Sequence, residues 1–163
     1  LSNRYLKESD RKLFNDSSII FMKKVKIELP NKFLKKWLKM NAKKEFEESE
    51  FEKEYENYVK YLSWQLIENK ICEENNIQIT NEKLNNFTKE NVLAQMKSYG
   101  NVQMDNKEID GIVANVLKNK QEAEKMTNEL VLLELVKYFK DKMKLKTNAI
   151  TLDEFIKLAN NQK

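Results

Sequence analysis

The chain has 163 residues and a net charge of +4; 34% of its residues are charged, glycine occurs twice, proline and cysteine once each, and histidine not at all. The length is enough to bury a core, and the scarcity of glycine and proline predicts long helices joined by few sharp turns. Without histidine, the chain lacks the commonest general base and metal ligand, and a single cysteine cannot form a tetrahedral zinc site. Two glycines are too few for a phosphate-binding loop. The composition therefore argues against an enzyme and against a metal or nucleotide cofactor.

The charge is unevenly distributed along the chain. Residues 1–47 carry 13 basic and 6 acidic side chains, a net charge of +7, whereas residues 48–82 carry 3 and 9, a net charge of −6. Only two of the 30 basic residues are arginine, which argues against specific nucleic-acid recognition, because arginine supplies most bidentate contacts with guanine and phosphate.

The sequence also carries signals about location. It contains neither a long apolar run typical of a membrane span nor the pattern of a signal peptide. The single cysteine, Cys72, fits a reducing compartment, so the predicted location is cytoplasmic. Glu73 and Glu74 follow this thiol and are expected to raise its pKa. Because the chain begins at Leu1 rather than methionine, residues 1–163 are interpreted as a single domain and a piece of a larger protein.

The first part of the chain predicts two helices. A narrow apolar stripe indicates a helix over residues 3–24, and β-branched residues at 25–27 are expected to end it. Pro30 suits the first turn of a second helix over residues 31–40, because its missing N–H has no partner there in any case.

The second helix separates an aromatic side from a lysine side. Phe33, Trp37 and Met40 share one side. The lysines of the other side are Lys32, Lys35, Lys36, Lys39 and Lys43. This pattern is typical either of a face that binds an anionic surface or of a solvated lysine face over a packed tryptophan, and the second interpretation is the more common one. Trp37, together with Trp64 of the next helix, is therefore expected to be largely buried.

The longest predicted helix covers residues 49–74. Apolar side chains recur at three- and four-residue steps, and Ser49 with Glu52 has the form of an N-terminal capping box. Such a helix would be roughly 39 Å long at about 1.5 Å per residue. A compact chain of this size has a radius of gyration of only about 15 Å, so the sequence predicts an elongated domain.

Four further helices and a repeated linker follow. Thr80 and Asp105 are the expected N-caps of helices that end near Gly100 and Leu117, and a second long helix covers residues 121–144. An Ile-Thr pair precedes a capped helix at two places, Ile79-Thr80 and Ile150-Thr151, and Thr151 with Glu154 forms a second capping box. These two repeats predict an all-α fold with two helical-hairpin arms.

One group of apolar residues is a candidate binding surface. It lies where one helix ends and a short one begins, so its side chains are expected to be incompletely enclosed, and methionine and aromatic side chains adapt to varied apolar partners. The candidate residues are Met96, Tyr99, Ile109, Ile112 and Val116.

Five segments resemble, in order, the C-terminal domain of bacterial trigger factor, and together they cover almost the whole chain. They are ESDRKLFND (8–16), ELPNKFLKKWL (28–38), WQLIENKICEENNIQITNEKL (64–84), AQMKSYG (94–100) and LELVKYFKDKMKLKTNAITLDEF (133–155). The resemblance implies an all-helical body with two arms that forms a cradle for nascent chains. It also implies that the family's ribosome-docking loop and prolyl isomerase domain lie in preceding sequence and have no counterpart here.

Two of the candidate residues lie inside a segment that resembles the family. AQMKSYG is similar to a client-contact segment of the family, which implies client contact by Met96 and Tyr99. Ile109 and Ile112 follow at similar spacing, although the loop at 101–105 differs in length and the family's proline-bearing turn is replaced by Gly100, Asn101 and Val102.

The resulting hypothesis is that the chain is an ATP-independent chaperone domain that binds unfolded or nascent polypeptides. It is expected to have no catalytic activity and no cofactor, and to reach the ribosome only through other domains. The alternative is a basic helical module that binds RNA or an acidic surface through residues 32–44. The two hypotheses differ in salt dependence, because phosphate contacts weaken steeply as salt rises whereas apolar contacts persist.

Overall fold

The computed structural model describes residues 2–42, 47–98, 100 and 105–160. In these ranges it contains seven α-helices and no β-strand, which confirms the all-α prediction. The helices are α1 (Ser2–Lys24), α2 (Asn31–Asn41), α3 (Glu48–Glu74), α4 (Asn81–Ser98), α5 (Asn106–Lys118), α6 (Lys120–Lys142) and α7 (Leu152–Asn160).

Side-chain caps begin three of the helices where the sequence predicts them. The Asp105 carboxylate accepts a hydrogen bond from the Glu108 backbone N–H at 2.8 Å, and the Glu108 carboxylate accepts one from the Asp105 N–H at 2.9 Å. Thr80 Oγ1 accepts from the Lys83 N–H at 3.2 Å. At α7 the Thr151 N–H donates to the Glu154 carboxylate at 2.8 Å, and this bond lowers the pKa of Glu154.

The predicted capping box at the start of α3 is wrong. The helix begins at Glu48, with Glu47 at the N-cap position and no side-chain cap, so Ser49 lies inside the first turn. Glu52 instead accepts hydrogen bonds from Lys35 Nζ of α2 at 2.6 and 2.7 Å. The Glu52 carboxylate therefore pairs with a lysine of another helix instead of capping α3.

Two positive backbone angles mark helix ends. Asn76, after the last turn of α3, has φ of 53°, and Gly100, after α4, has φ of 103°. The left-handed region is favourable for glycine and tolerated by asparagine, so both residues can turn the chain away from the helix axis.

The helices fall into two compact units, of which the first comprises Leu1–Phe14 and Ile77–Lys163. In it α4, α5 and α6 pack against one another. Its buried apolar side chains are Ile109, Val113, Leu130, Leu135, Val136 and Phe139. Thr88 is fully buried, and its hydroxyl donates to the Leu84 carbonyl at 2.7 Å, so the core holds no unsatisfied hydroxyl at this position.

Ion pairs join the helices of the first unit. Lys83 of α4 pairs with Glu134 of α6 at 3.4 Å, and Lys89 of α4 pairs with Asp110 of α5 at 2.7 Å. Each pair is largely exposed, so its contribution to the free energy of unfolding is about 0–1 kcal/mol. Apolar packing therefore dominates the stability of this unit.

The second unit comprises Asn15–Asn76. Its core cluster is Leu34 of α2 with Phe51 and Tyr55 of α3, and the half-buried side chains around it are Leu29, Leu38, Tyr58, Val59 and Leu62. The Tyr55 hydroxyl donates to Asn31 Oδ1 at 2.6 Å, which satisfies the polar end of a buried ring. The cluster holds α2 along the first half of α3.

Candidate functional site

The structure places four of the five predicted binding residues in the packed pair of α4 and α5. Met96 lies in the last turns of α4, and Ile112 and Val116 lie in α5; all three side chains are half-buried. Tyr99 lies outside the described residues.

Ile109 differs from the expectation of an incompletely enclosed side chain. It is only 6% exposed and belongs to the core with Val113, one turn further along α5. Position 109 follows the capping box of α5 immediately, and the packing of α5 with α4 and α6 covers its side chain. Ile112 and Val116, four residues apart, flank the buried pair and keep part of their surface accessible.

The prediction that Trp37 is buried is wrong. Its side chain is 43% exposed, and Phe33 and Met40 on the same side of α2 are 62% and 76% exposed. Phe33, Trp37 and Met40 are called the α2 outer stripe below. The α2 helix has two apolar faces, and the face with Leu34 and Leu38 packs on α3, which leaves the outer stripe at the surface.

The Trp37 ring is nevertheless held in place. It stacks on Tyr58 of α3, with ring centroids 6.1 Å apart and an interplanar angle of 28°. Trp64, the other tryptophan, is half-buried. The outer stripe is thus an aromatic surface on a helix that is anchored by its opposite face.

A second exposed apolar group, which the sequence analysis missed, lies at the C-terminal end of the described chain. Its members are Leu145, Ile150, Leu152, Ile156 and Leu158, each between 41% and 47% exposed. Among the α7 residues with described side chains, only Phe155 is half-buried and the rest are exposed. The sequence signal was the four-residue spacing of Leu152 and Ile156 in a capped amphipathic helix.

The lysine face of α2 is partly neutralised within the protein. Lys35 pairs with Glu52 at 2.6 Å and lies 4.9 Å from the centre of the Tyr55 ring. Lys39 pairs with Glu48 at 3.3 Å and lies 4.6 Å from the centre of the Phe51 ring. These two ammonium groups stabilise the packing of α2 on α3, which leaves less positive charge for a phosphate backbone. Lys43, the last lysine of that face, lies outside the described residues.

Cys72 has a raised pKa, in the direction predicted but for a different reason. Burial is the main cause and the carboxylate of Glu68, one turn earlier in α3, is the second, whereas the sequence pointed to Glu73 and Glu74. Glu68 itself is partly buried, which raises its pKa, and a hydrogen bond from Trp64 opposes that effect. The thiol is therefore held in its protonated, unreactive form.

The Glu68→Gln variant should change the pH dependence of stability. The pKa of Glu68 is raised in the folded state, so the folded protein holds the carboxyl proton more tightly than the unfolded chain does. The stability that this proton contributes is lost as the pH rises through the folded-state pKa. Glutamine cannot ionise, so thermal unfolding should show the variant gaining stability relative to the parent as the pH rises above the ordinary glutamate pKa of about 4.3. The matched control is Glu56→Gln, an exposed position in the same helix. A pH-independent difference between parent and Glu68→Gln would contradict the assignment.

The described residues contain neither a candidate membrane span nor a candidate metal site. No helix among them is long and apolar enough for a membrane span. No group of three or more Cys, Asp or Glu side chains in the same part of the chain is placed to hold a metal ion.

Comparison with known families gives one match. The model of the family described as "Probable trigger factor, C-terminal domain" matches residues 9–159, nearly the whole chain and parts of both compact units. Comparison with curated proteins and with solved structures gave no significant match. The family match, spanning the helices from α1 to α7, shows that this chain belongs to the trigger factor C-terminal domain family.

Proposed function

We propose that this domain is an ATP-independent chaperone that holds unfolded or nascent polypeptides, called clients below, through exposed apolar patches. The observation that carries the proposal is the exposure of large apolar side chains in groups on α2 and on the segment at 145–158 of a domain from this family. Grouped apolar exposure in a soluble domain is typical of an interaction surface, whereas single exposed apolar residues need no explanation.

The proposed mechanism is weak binding at several patches. No patch needs high affinity, because a client that is held at one patch reaches the next at high effective concentration. Exposed charged side chains on the same helices, such as Lys36 on α2 and Glu154 on α7, would keep the loaded complex in solution. Such binding needs neither catalysis nor a cofactor, and we place it in the cytoplasm.

Within this proposal, Met96, Tyr99, Ile112 and Val116 contact the client at the end of α4 and along α5. Ile109 of the same helix is 6% exposed, so we assign it to the core of the first unit and not to client contact. Association with the ribosome and prolyl isomerisation are activities of other trigger factor domains, so they are not proposed for these residues.

The direct test is suppression of aggregation. A chemically denatured protein is diluted into buffer with and without the chain, no nucleotide is added, and light scattering is followed. We expect scattering to fall as the chain approaches equimolar amounts and to stay low at raised salt, because apolar contacts are not screened. Unchanged scattering at a several-fold excess of the chain would contradict the proposal.

The triple variant Met96→Ser, Ile112→Ser, Val116→Ser should bind a denatured client at least roughly tenfold more weakly. A half-exposed apolar contact contributes about 1 kcal/mol at roughly 25 cal/mol per Å², and three such losses add up. Each of the three single variants should shift thermal unfolding less than Ile109→Ser does, since none of the three side chains is fully buried.

Two controls make this prediction specific. Ala114→Ser, at an exposed position of α5, should leave both binding and stability unchanged. Ile109→Ser should lower the free energy of unfolding by several kcal/mol, because it buries a hydroxyl and leaves a cavity. If the triple variant suppresses aggregation as well as the parent does, the α4–α5 patch is not a client site.

A further inference from the structure

We propose that the α2 outer stripe, with Lys32 and Lys36, is a client subsite that selects aromatic or aliphatic segments flanked by acidic residues. This inference rests on the proposed function and names the class of client segment that one surface prefers. Its basis is the combination of an exposed aromatic surface with positive charge that the fold itself does not neutralise.

Ion pairing separates the lysines of α2 into two sets. Lys35 and Lys39 face α3, where Glu52 and Glu48 pair with them. Lys32 and Lys36 form no ion pair with any described residue, and both are exposed. The fold therefore neutralises the lysines at the α2–α3 contact and leaves the outer pair charged.

Lys36 borders the outer stripe. Lys36 lies three residues after Phe33 and four before Met40, so it is a surface neighbour of both on the helix. Lys32 lies one turn before Lys36. The α2 sequence, NKFLKKWLKMN, contains no acidic residue that could compensate this charge.

The stripe is preorganised for contact with a side chain. Leu34 and Leu38 anchor α2 in the core cluster, and the stack on Tyr58 fixes the plane of the Trp37 ring. Phe33 and Met40 are 62% and 76% exposed, so they offer most of their surface. A bound segment would place an aromatic or aliphatic side chain on this surface while its neighbouring carboxylates reach the two ammonium groups.

Charge complementarity sets the expected order of clients. An acidic segment gains two exposed ion pairs, a neutral one gains none, and a lysine-rich one is repelled. Two exposed ion pairs correspond to a difference in affinity of about threefold to tenfold at low salt, and this difference should shrink as salt rises toward 0.5 M.

The experiment uses three dye-labelled peptides with one shared core of two phenylalanines and a leucine, flanked by glutamate, serine or lysine. Binding to the full chain is measured by fluorescence anisotropy at low and high salt. We expect the glutamate peptide to bind about threefold to tenfold more tightly than the serine peptide, and the lysine peptide to bind most weakly. Equal binding of all three peptides by a chain that suppresses aggregation would overturn this inference and leave the proposed function standing.

Two variant pairs test which residues are responsible. Lys32→Gln with Lys36→Gln should abolish the preference for glutamate and leave binding of the serine peptide unchanged. Lys53→Gln with Lys60→Gln removes the same charge from exposed positions of α3 and should keep the preference. Loss of the preference in both pairs would mean that net charge, not the α2 surface, selects the peptide.

A third variant tests the apolar part. Phe33→Ser with Met40→Ser should weaken binding of the glutamate peptide at least about fivefold without shifting the thermal unfolding curve by more than a few degrees, because both side chains are exposed. Full binding by this variant would overturn the assignment to α2. Displacement of the glutamate peptide by an unstructured uridine-rich RNA, at lower concentration than by the unlabelled peptide, would show a phosphate site instead.

Discussion

Replacing Phe139 with alanine should lower the free energy of unfolding by about 3–5 kcal/mol, the usual effect of truncating a buried aromatic side chain. Phe139 is 0% exposed in α6, and Leu135 and Val136 next to it are 0% and 2% exposed. The helices around this position cannot close the cavity without losing their own contacts. Urea unfolding followed by far-ultraviolet circular dichroism measures the change.

A neighbouring position provides the control. Lys137→Ala changes an exposed side chain in the same turn of α6 and should alter the free energy of unfolding by less than about 0.5 kcal/mol. A cost below about 1 kcal/mol for Phe139→Ala would show that the first unit is not packed around this ring.

The second large effect is expected in the other unit. Phe51→Ala should destabilise it by about 3–5 kcal/mol, because Phe51 is 4% exposed and packs with Leu34 and Tyr55 in the core cluster. The variant also removes the ring over which the Lys39 ammonium lies at 4.6 Å. Trp37 and Trp64 both belong to this unit, so tryptophan fluorescence reports its unfolding.

Phe51→Leu separates cavity formation from ring contacts. Leucine fills most of the volume but offers no aromatic face to Tyr55 or Lys39, so the expected cost is about 1 kcal/mol. The exposed control is Lys53→Ala, two residues away. If alanine and leucine at position 51 cost the same, the aromatic contacts rather than the filled volume stabilise the α2–α3 packing.

Helix positions and several caps could be predicted from the sequence because they depend on neighbours in the chain. The capping boxes at Asp105 and Thr151 need only residues three apart, and both are present. The box at Ser49 has the same form yet does not form, since Glu52 is within reach of Lys35, a residue 17 positions earlier. A local motif thus predicts correctly only where no distant partner competes for the same side chain.

Which apolar residues would be exposed could not be predicted in the same way. Phe33, Trp37 and Met40 have the spacing of a buried face, and so do Leu34 and Leu38. Ile109 lies near the start of a short helix, as an accessible residue would, yet it is 6% exposed because α5 packs with α4 and α6. Periodicity shows that a helix has an apolar face, but only the packing partner shows whether that face is covered.

The sequence by itself determined the all-α fold, the approximate ends of its helices, three of its caps and, through five ordered segments, its family. These properties follow from propensity and hydrogen bonding within a few residues, which act in any surroundings. Only the tertiary structure decided that Lys35 and Lys39 are neutralised, that Ile109 is core and that the α2 outer stripe faces solvent. Each of these depends on α3 or on the α4–α6 packing, because burial and ion pairing are set by residues that are distant in sequence and close in space.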